Sequence, residues 1–502
     1  MRKASSSKGS RIERHDGIAP ALQQRSKTRR TTHKKLTAIG ASASRRNDLL
    51  PDLRIEYLPP AELRPAQRRM RSNDPIQAAR LDQSIIEFGM CSPIIISQDR
   101  LIIHGHGIWE AAQRAGLVRV PTIVADHLSS GQQRLLGIAL NRLGETANWD
   151  EVALAEELGE LLELDEDVLV TGFELAEIDA LLLLDSEAEH AGADTGEDAL
   201  PELGEQAVSR PGDLWQLGNH LLLQGDALDA GSYQRLFRDG EFARIVLTDE
   251  PFNVRIAGNV TGKKHHAEFA MASGELSREE FSAFNRTWMD HCASVLITGG
   301  LLGTFIDWRS VEIVLATGRE LGLDLLNIIV WEKTNGDQGS LWRSQHELLP
   351  FFKKGAAPHV NNIQLGRFGR WRSNVWTYPG GSSVGSEAQM HSNNHPTVKP
   401  RALLEDALLD VSNRGEIVLD PFAGSGSTLL AAEVAGRVCR AIEIDGRYSD
   451  LIIARWQTLT GVAAVLSETG EAFAEVAVRR TGQEPDGLGS EQGEEIADAQ
   501  KA

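Results

Sequence analysis

The chain has 502 residues, 41% of them hydrophobic, and a formal net charge of −19. At about 100–200 residues per domain, this length predicts two to four domains with sizeable cores. No apolar run approaches the roughly 20 residues of a membrane span. The basic N-terminus lacks a following apolar segment and so is not a secretory signal. Cys91, Cys292 and Cys439 are too scattered for a metal site or disulfide framework, which fits a reducing cytoplasm.

The charge is unevenly spread. Residues 1–50 hold 13 Lys/Arg against 3 Asp/Glu and are poor in aromatics. They read as a disordered basic arm, either a solvated tail or a non-specific phosphate contact. Over 51–145 the pattern becomes that of a small α/β domain. A helix is predicted at Ala78–Phe88, stopping at Gly89, and strands at Pro93–Ser97 and Arg100–His104. A helix over Ile108–Ala115 and a strand over Pro121–Ala125 follow. Trp149–Asp185 is leucine-rich and acidic with helical periodicity, predicting a helical pair within a connector over 146–188, with Thr171 as a cap. No Lys or Arg occurs from 143 to 209, whereas 21 acids lie between Glu145 and Glu205. Residues 189–210 read as a linker.

From 211 to 465 strands and helices alternate. Strands are predicted at Leu221–Gln224, Ile245–Thr248, Leu301–Phe305, Leu325–Trp331, Ile417–Leu419 and Val438–Ile444. Such alternation implies an α/β fold with a largely parallel sheet covered on both faces. Residues of about 333–390, rich in Gly, Asn, Arg and Trp, interrupt the pattern as loops or an inserted lobe. Residues 466–502 read as a disordered acidic tail.

Ile417–Thr428 is an apolar strand, a glycine turn and a helix start, containing Asp420-Pro-Phe422-Ala-Gly424-Ser-Gly426-Ser427. Glycines there let a ligand approach the backbone, and open α/β sheets bind ligands at the carboxyl ends of their strands. The spacing lacks the third glycine of a dinucleotide fingerprint and the lysine of a phosphate-binding loop. A tight structural turn would look the same. Glu443, closing the next strand, is placed to accept hydrogen bonds from a ribose. Together they fit a nucleoside ligand without a pyrophosphate.

Asp249-Glu250-Pro251-Phe252 closes another buried strand. Taken alone it could be an ordinary strand-end turn. Its parts also suit methylation of an exocyclic amine, whose lone pair is delocalised into the ring. A carboxylate and a main-chain carbonyl accepting its two hydrogens would make it nucleophilic, and an aromatic face would stack a base extruded from the duplex. His395-Pro-Thr397-Val-Lys399-Pro400 opens a helix, and Asp226 ends a strand as Gly225-Asp226. Arg343, Arg367, Arg370, Trp371 and Arg372, with Trp376, mix basic and aromatic side chains. They suit phosphate contact and base stacking, or equally a loop anchored by its tryptophans. His346 and Glu347 lack metal spacing, and no metal site is expected.

In this order the segments resemble the amino-methyltransferases of DNA in the permuted, beta-class arrangement. There an Asp-Pro-Pro-Tyr motif precedes a target-recognition region, then His-Pro-Thr-x-Lys-Pro and Asp-Pro-Phe-x-Gly-Ser-Gly-Thr. The resemblance covers 211–461. It implies a Rossmann-like S-adenosylmethionine-dependent methyltransferase domain acting on double-stranded DNA, and it allows a homodimer without identifying a restriction partner. By the same resemblance, Asp420, Phe422, Gly424, Gly426 and Ser427 would bind the cofactor's methionine end and Glu443 its ribose. Asp226 would lie by its adenine, with Thr397 and Lys399 by its pocket. Asp249 and the Glu250 carbonyl would hold the target amine, with Phe252 stacking. An Asp at the first catalytic position is more typical of adenine-N6 enzymes, with cytosine-N4 methylation the alternative. Asp-Glu-Pro-Phe departs from the family pattern, and Glu250 brings a second carboxylate, leaving a catalytically weakened DNA-binding protein as the further alternative. Residues 51–127 resemble the ParB/sulfiredoxin-like domain through Pro59–Pro65, Ile85–Gly89, Pro93–Ile96 and Ile103–Gly107. Ile108 stands where that family has Arg, so a DNA-locating or assembly module is expected rather than nucleotide or nuclease chemistry.

Overall fold

The computed structural model describes residues 51–66, 75–144, 146, 149–164, 166–190, 206–253, 274–334, 336, 341–366, 370–380 and 399–482. The basic arm, most of the linker, Arg367, Thr397 and the end of the acidic tail lie outside these residues. Two compact units are present, residues 1–148 and 149–502.

In the first unit, β1 (Ile55–Leu58), β2 (Ile94–Ile96), β3 (Ile102–His104) and β4 (Val120–Val124) form a sheet in the order β1-β4-β2-β3. Three helices accompany them: α1 (Pro75–Phe88), α2 (His106–Arg114) and α3 (Ser130–Gly144). The β-branched runs supply the core, in which Ile94, Ile96 and Ile102 pack with Leu63 and Trp109. The Trp109 indole N–H is satisfied by the Pro60 carbonyl at 2.9 Å, as a buried indole requires.

The second unit opens with a helical pair, α4 (Glu151–Glu163) and α5 (Leu175–His190), packed through Leu158, Val168 and Ile178. Thr171 does not cap α5. Gly172, at φ 95°, ends a 3-10 turn over Val168–Thr171, and α5 starts three residues later, with the Glu177 carboxylate accepting the Glu174 N–H.

The sheet that follows has ten strands. They are β5 (Leu214–Leu217), β6 (His220–Gln224), β7 (Ala243–Thr248), β8 (Leu296–Thr304), β9 (Leu323–Lys333), β10 (His346–Lys354), β11 (Val375–Tyr378), β12 (Ile417–Asp420), β13 (Val438–Glu443) and β14 (Val465–Leu466). Their order is β11-β9-β10-β8-β7-β12-β13-β6-β5-β14, and β8-β7-β12-β13-β6 is parallel throughout. The helices are α6 (Ala230–Leu236), α7 (Arg278–Val295), α8 (Val311–Glu320), α9 (Arg401–Val411), α10 (Ser427–Val434), α11 (Gly446–Thr460) and α12 (Phe473–Thr481).

Strand β7 is buried on both faces, which is why it reads as a continuous apolar run. Ile245 and Leu247 join one core layer with Phe305, Leu404 and Leu408; Val246 joins the other with Phe284 and Trp288. The chain leaves β7 through α7 toward β8 and leaves β12 through α10 toward β13. The winding therefore reverses between β7 and β12, where a crevice opens at the carboxyl ends of an open α/β sheet.

Two expectations are corrected here. The tail expected to be disordered from 466 instead begins with ordered structure. β14 pairs antiparallel with β5, and α12 buries Phe473, Val476 and Ala477 against the main core. Likewise the segment read as an interruption contains β10, which lies inside the sheet between β8 and β9.

Candidate active site

Four strands end in carboxylates along one edge of the sheet: Asp249 after β7, Asp420 on β12, Glu443 on β13 and Asp226 after β6. The pairing sets their level, with Val418 opposite Ile245, Asp420 opposite Ala441 and Glu443 opposite Gln224. Asp420 is tied across the switch point by the Thr248 hydroxyl, which donates to Oδ1 at 2.6 Å. Burial raises the Asp420 carboxyl above its usual range, opposed by bonds from Thr248, Thr428 and the Phe422 amide.

The glycine turn between β12 and α10 is held by its own backbone. Gly424 and Gly426 take φ of 52° and 85°, where a side chain is strained. A Cβ on Gly426 would also meet Ile452 at 2.8 Å. The Gly424 N–H donates to Glu443 Oε2 at 2.7 Å, and the Asp445 N–H to Oε1 at 2.9 Å. Burial still pushes the Glu443 carboxyl up to about 7. From behind, the buried Arg455 guanidinium donates to the Ser425 carbonyl at 2.7 Å. Ser427 is buried at the first turn of α10, its hydroxyl 3.2 Å from that of Ser425. Phe422 packs its ring edge-on against Trp288 of α7, with centroids 5.6 Å apart. Asp226 Oδ1 accepts the Leu228 N–H at 2.8 Å, and the Gly225 N–H reaches the Glu443 carbonyl at 2.9 Å.

Across the switch point, Asp249 Oδ2 accepts from the Lys399 ammonium at 2.5 Å. Lys399 also lies 3.3 Å from Glu347 on β10, which in turn pairs with Lys333 at the end of β9 at 2.8 Å. The Lys399 ammonium sits 5.6, 5.3 and 5.9 Å from the ring centres of Phe252, Phe305 and Trp331. Burial works against its charge, yet Asp249 and Glu347 hold its pKa above the ordinary lysine value. Asp249 is raised by burial, with Lys399 opposing. Glu347 is lowered: its two lysines outweigh its burial.

Glu250 is 1% exposed. Neither of its carboxylate oxygens, nor Asp249 Oδ1, has a hydrogen-bond partner among the described residues. Burial drives the Glu250 carboxyl well above its ordinary range. Its own backbone amide opposes the shift, the Asp249 charge adds to it, and Lys399 opposes it. Pro251 and Phe252 are half-buried, and Phe252 packs on both core layers. Asn253 then turns the chain at φ 56°, its side chain receiving the Gly274 and Leu276 N–H groups and donating to the Leu276 carbonyl.

The structure therefore brings Asp249, Glu250, Phe252 and Lys399 together, and Asp420, Gly424, Gly426, Ser427 and Glu443 beside them. Lys399, which the resemblance places by the cofactor pocket, pairs with Asp249. Sequence reasoning missed Lys333, Phe305, Trp331, Asn253 and Arg455, and noted Glu347 only to dismiss it as a metal ligand. No cluster of His, Cys, Asp and Glu capable of holding a metal occurs among the described residues.

The basic–aromatic cluster is corrected. Arg370 donates to Asp410 and Asp406 at 2.9 and 2.8 Å, and Arg372 to the same two acids at 3.1 and 2.6 Å. Tyr378 also donates to Asp406, and Arg372 lies 4.6 Å over the Trp376 ring. Both guanidiniums are thus neutralised inside the protein, fastening the segment before β11 to α9. Arg343 and Trp371 do lie on the surface, Trp371 79% exposed.

Comparison with known proteins matches residues 243–454 to the family described as DNA methylase. Residues 45–140 match the ParB N-terminal domain, and 152–211 the ParB-methyltransferase HTH domain. The type II methyltransferase M2.DpnII of Streptococcus pneumoniae is 32% identical over 187 residues, 36% of this chain and 68% of that protein. The type II methyltransferase M.HpaI of Haemophilus parainfluenzae is 25% identical over 221 residues, 41% of this chain and 66% of that protein. Among solved structures, the complex of M1.HpyAVI with SAM aligns at a TM-score of 0.36 and 20% identity, over 47% of this chain and 97% of that one. With those matched segments in that order, the chain belongs to the N6/N4 DNA methylase family, joined to a ParB N-terminal domain and a ParB-methyltransferase HTH domain.

Proposed function

We propose that this DNA methyltransferase transfers a methyl group from S-adenosylmethionine to the N6 amine of adenine in double-stranded DNA. The observation that carries the reading is the buried Asp249 Oδ1 at the switch point, which has no hydrogen-bond partner among the described residues. A buried acceptor left without a donor costs about 1–3 kcal/mol, which a ligand N–H would recover. Asp249 and the Glu250 main-chain carbonyl accept the two amine hydrogens, and Phe252 stacks on the extruded base. The Gly424–Gly426 turn and Glu443 offer close backbone approach and a carboxylate, which suits a cationic nucleoside without phosphates. Bound there, S-adenosylmethionine supplies an electrophilic methyl on a sulfonium. An N–CH3 bond forms as the S–CH3 bond breaks, and the amine proton passes to Asp249 and on to water. Lys399 keeps Asp249 ionised for that step, and alignment of amine and methyl supplies most of the acceleration.

Adenine is preferred over cytosine-N4 because the first catalytic position is Asp, the residue the resemblance associates with adenine. The test is nucleoside analysis of DNA treated with the purified full chain and labelled methyl donor. Label in N6-methyladenine is expected. Label in N4-methylcytosine would transfer the reading to cytosine, and no label in DNA would reject it. Sequencing with modified-base detection on DNA from cells expressing the chain would give the recognition site.

A further inference from the structure

Position 250 carries a carboxyl where the family motif has proline, and the reaction as derived uses only its main-chain carbonyl. Its side chain is 1% exposed and, among the described residues, both oxygens lack hydrogen-bond partners. It adjoins Asp249, whose Oδ1 is buried and unpartnered as well, and lies two residues before the half-buried Phe252. Three buried oxygens in one strand-end turn thus have no hydrogen-bond partner among the described residues, an arrangement that suits a ligand supplying its own donors and acceptors.

We propose that Glu250, as a neutral carboxylic acid, reads the ring nitrogen beside the target amine. Its O–H donates to that nitrogen, while its C=O accepts the amine hydrogen lying on the same side. Asp249 Oδ1 accepts the other amine hydrogen. The carboxyl thereby replaces the main-chain carbonyl of the same residue as acceptor of that hydrogen, and the rest of the proposed reaction is unchanged. This inference rests on the methyltransferase reading and deepens it.

The chemistry follows from the edge of the base. Adenine and cytosine both present an amine donor beside a ring-nitrogen acceptor, and a carboxylic acid presents the complementary acceptor and donor in one plane. Guanine and thymine present a carbonyl acceptor beside a ring N–H, so the pair then contributes no selection for the amine edge. An ionised Glu250 would set two lone pairs against the ring nitrogen, which opposes binding. Burial and the adjacent Asp249 charge favour the neutral form, with Lys399 opposing. Donation to the ring nitrogen withdraws electrons from the amine. The interaction therefore acts on recognition, and its loss appears in KM for DNA more than in kcat.

The charged groups around Glu250 are Asp249 in the same turn and Lys399 ahead of α9; Glu347 on β10 and Lys333 on β9 extend that network. Asp249 and Glu347 hold the Lys399 pKa above the ordinary lysine value, so the decisive comparison is between variants at position 250. The full chain would be assayed with unmodified plasmid DNA and labelled methyl donor from about pH 7 to about pH 9.5, separating KM from kcat. Wild-type KM is expected to rise as Glu250 ionises. Glu250→Gln keeps one donor and one acceptor in the same shape but cannot ionise, so its KM stays level. Glu250→Ala is expected to show a KM already about tenfold higher near pH 7 and flat above it. The proposal is overturned if KM of Glu250→Gln climbs in parallel with wild type. It is equally overturned if Glu250→Ala matches wild type near pH 7. In both cases the wild-type protein still methylates DNA and the parent reading stands. Absence of transfer by the wild type at every pH would overturn both.

Discussion

The Lys399 ammonium and Asp249 Oδ2 are 2.5 Å apart, joining the start of α9 to the end of β7 across 150 residues of sequence. Phe252, Phe305 and Trp331 surround the buried Lys399 ammonium, while the Asp249 side chain is half-buried. Lys399 is the cation that offsets the burial of both Asp249 and Glu347.

Replacing that cation should cost both activity and stability. Lys399→Met leaves Asp249 without its counter-charge, and removing one partner of a buried pair costs about 3–5 kcal/mol. The Asp249 pKa rises further, so the acidic limb of the kcat profile moves to higher pH by about one unit. Methyl transfer should fall about 100-fold at neutral pH. A pH–rate profile with an unmoved acidic limb would show that Lys399 does not control Asp249.

On the proposed reading, in which Glu443 holds the ribose, cofactor affinity should follow pH. The Glu443 carboxyl is pushed up to about 7, so it is substantially protonated on the acid side of neutrality. Ribose hydroxyls donate best to the ionised form. Affinity for S-adenosylhomocysteine, measured by calorimetry, should therefore be about tenfold lower near pH 6 than near pH 8. Glu443→Gln should bind weakly at both and lose the dependence. It should also slacken the glycine turn, because Gly424 donates to this carboxylate.

Arg370 and Arg372 should behave as structural residues. Each is half-buried and paired with Asp406 and Asp410. Arg372→Met should lower stability by about 3–5 kcal/mol by stranding buried carboxylates. The salt dependence of DNA binding should keep its slope, whereas losing one phosphate contact would reduce it by about one. Titration of DNA binding against salt concentration distinguishes the two.

The strand-end acids were legible because each lies where an apolar run stops, and position along one strand is local information. The partners of Lys399 were not. Glu347 reaches it through the antiparallel pairing of β9 and β10, which places Glu347 opposite Trp331. Register between strands separated by a long polar segment cannot be read from either strand alone. The two readings of Arg370 and Arg372 stayed open in the sequence because arginines beside tryptophans have the same composition whether they face phosphate or acids of the protein. The available signal was Asp406 and Asp410, four residues apart and hence on one face of α9. In the tail, Phe473, Val476 and Ala477 carried helical spacing, but the acidic composition around them hid it. The strand, glycine turn and helix start around Gly424 and Gly426 were legible in the sequence. What the structure adds is the turn's fastening to Glu443 and Arg455, side chains 19 and 30 residues away in sequence.

Asp179 tests how the helical pair is held. It is 3% exposed and lies 3.1 Å from Arg414 and 2.9 Å from Arg437, which precede β12 and β13. The pair therefore docks on the amino ends of these strands, opposite the edge carrying Asp420 and Glu443. Lying at that far edge and containing no Lys or Arg, it offers no cation to a phosphate backbone from its own sequence. Asp179→Ala should remove the carboxylate from Arg414 and from the fully buried Arg437, which keeps neutral acceptors on Ser412 and Ala435, and cost about 3–5 kcal/mol. Protease sensitivity between residues 190 and 206 should rise as the pair loosens, while KM for DNA stays level. A large rise in KM with unchanged protease resistance would instead make this helical pair part of the DNA-contacting surface.

Glu250 carries a stability cost that its proposed role would explain. In the unfolded chain a glutamate ionises near its usual pKa, whereas in the fold burial holds the carboxyl well above it. Its contribution is therefore most favourable below about pH 4 and is lost as pH rises from there toward the folded value. Glu250→Gln removes that loss. Near pH 7 it should be more stable than wild type by about 1–3 kcal/mol, with the difference vanishing near pH 4. Thermal unfolding at the two pH values measures this directly. A variant less stable at neutral pH would mean that the carboxylate is satisfied in the folded protein, contrary to its unpartnered oxygens.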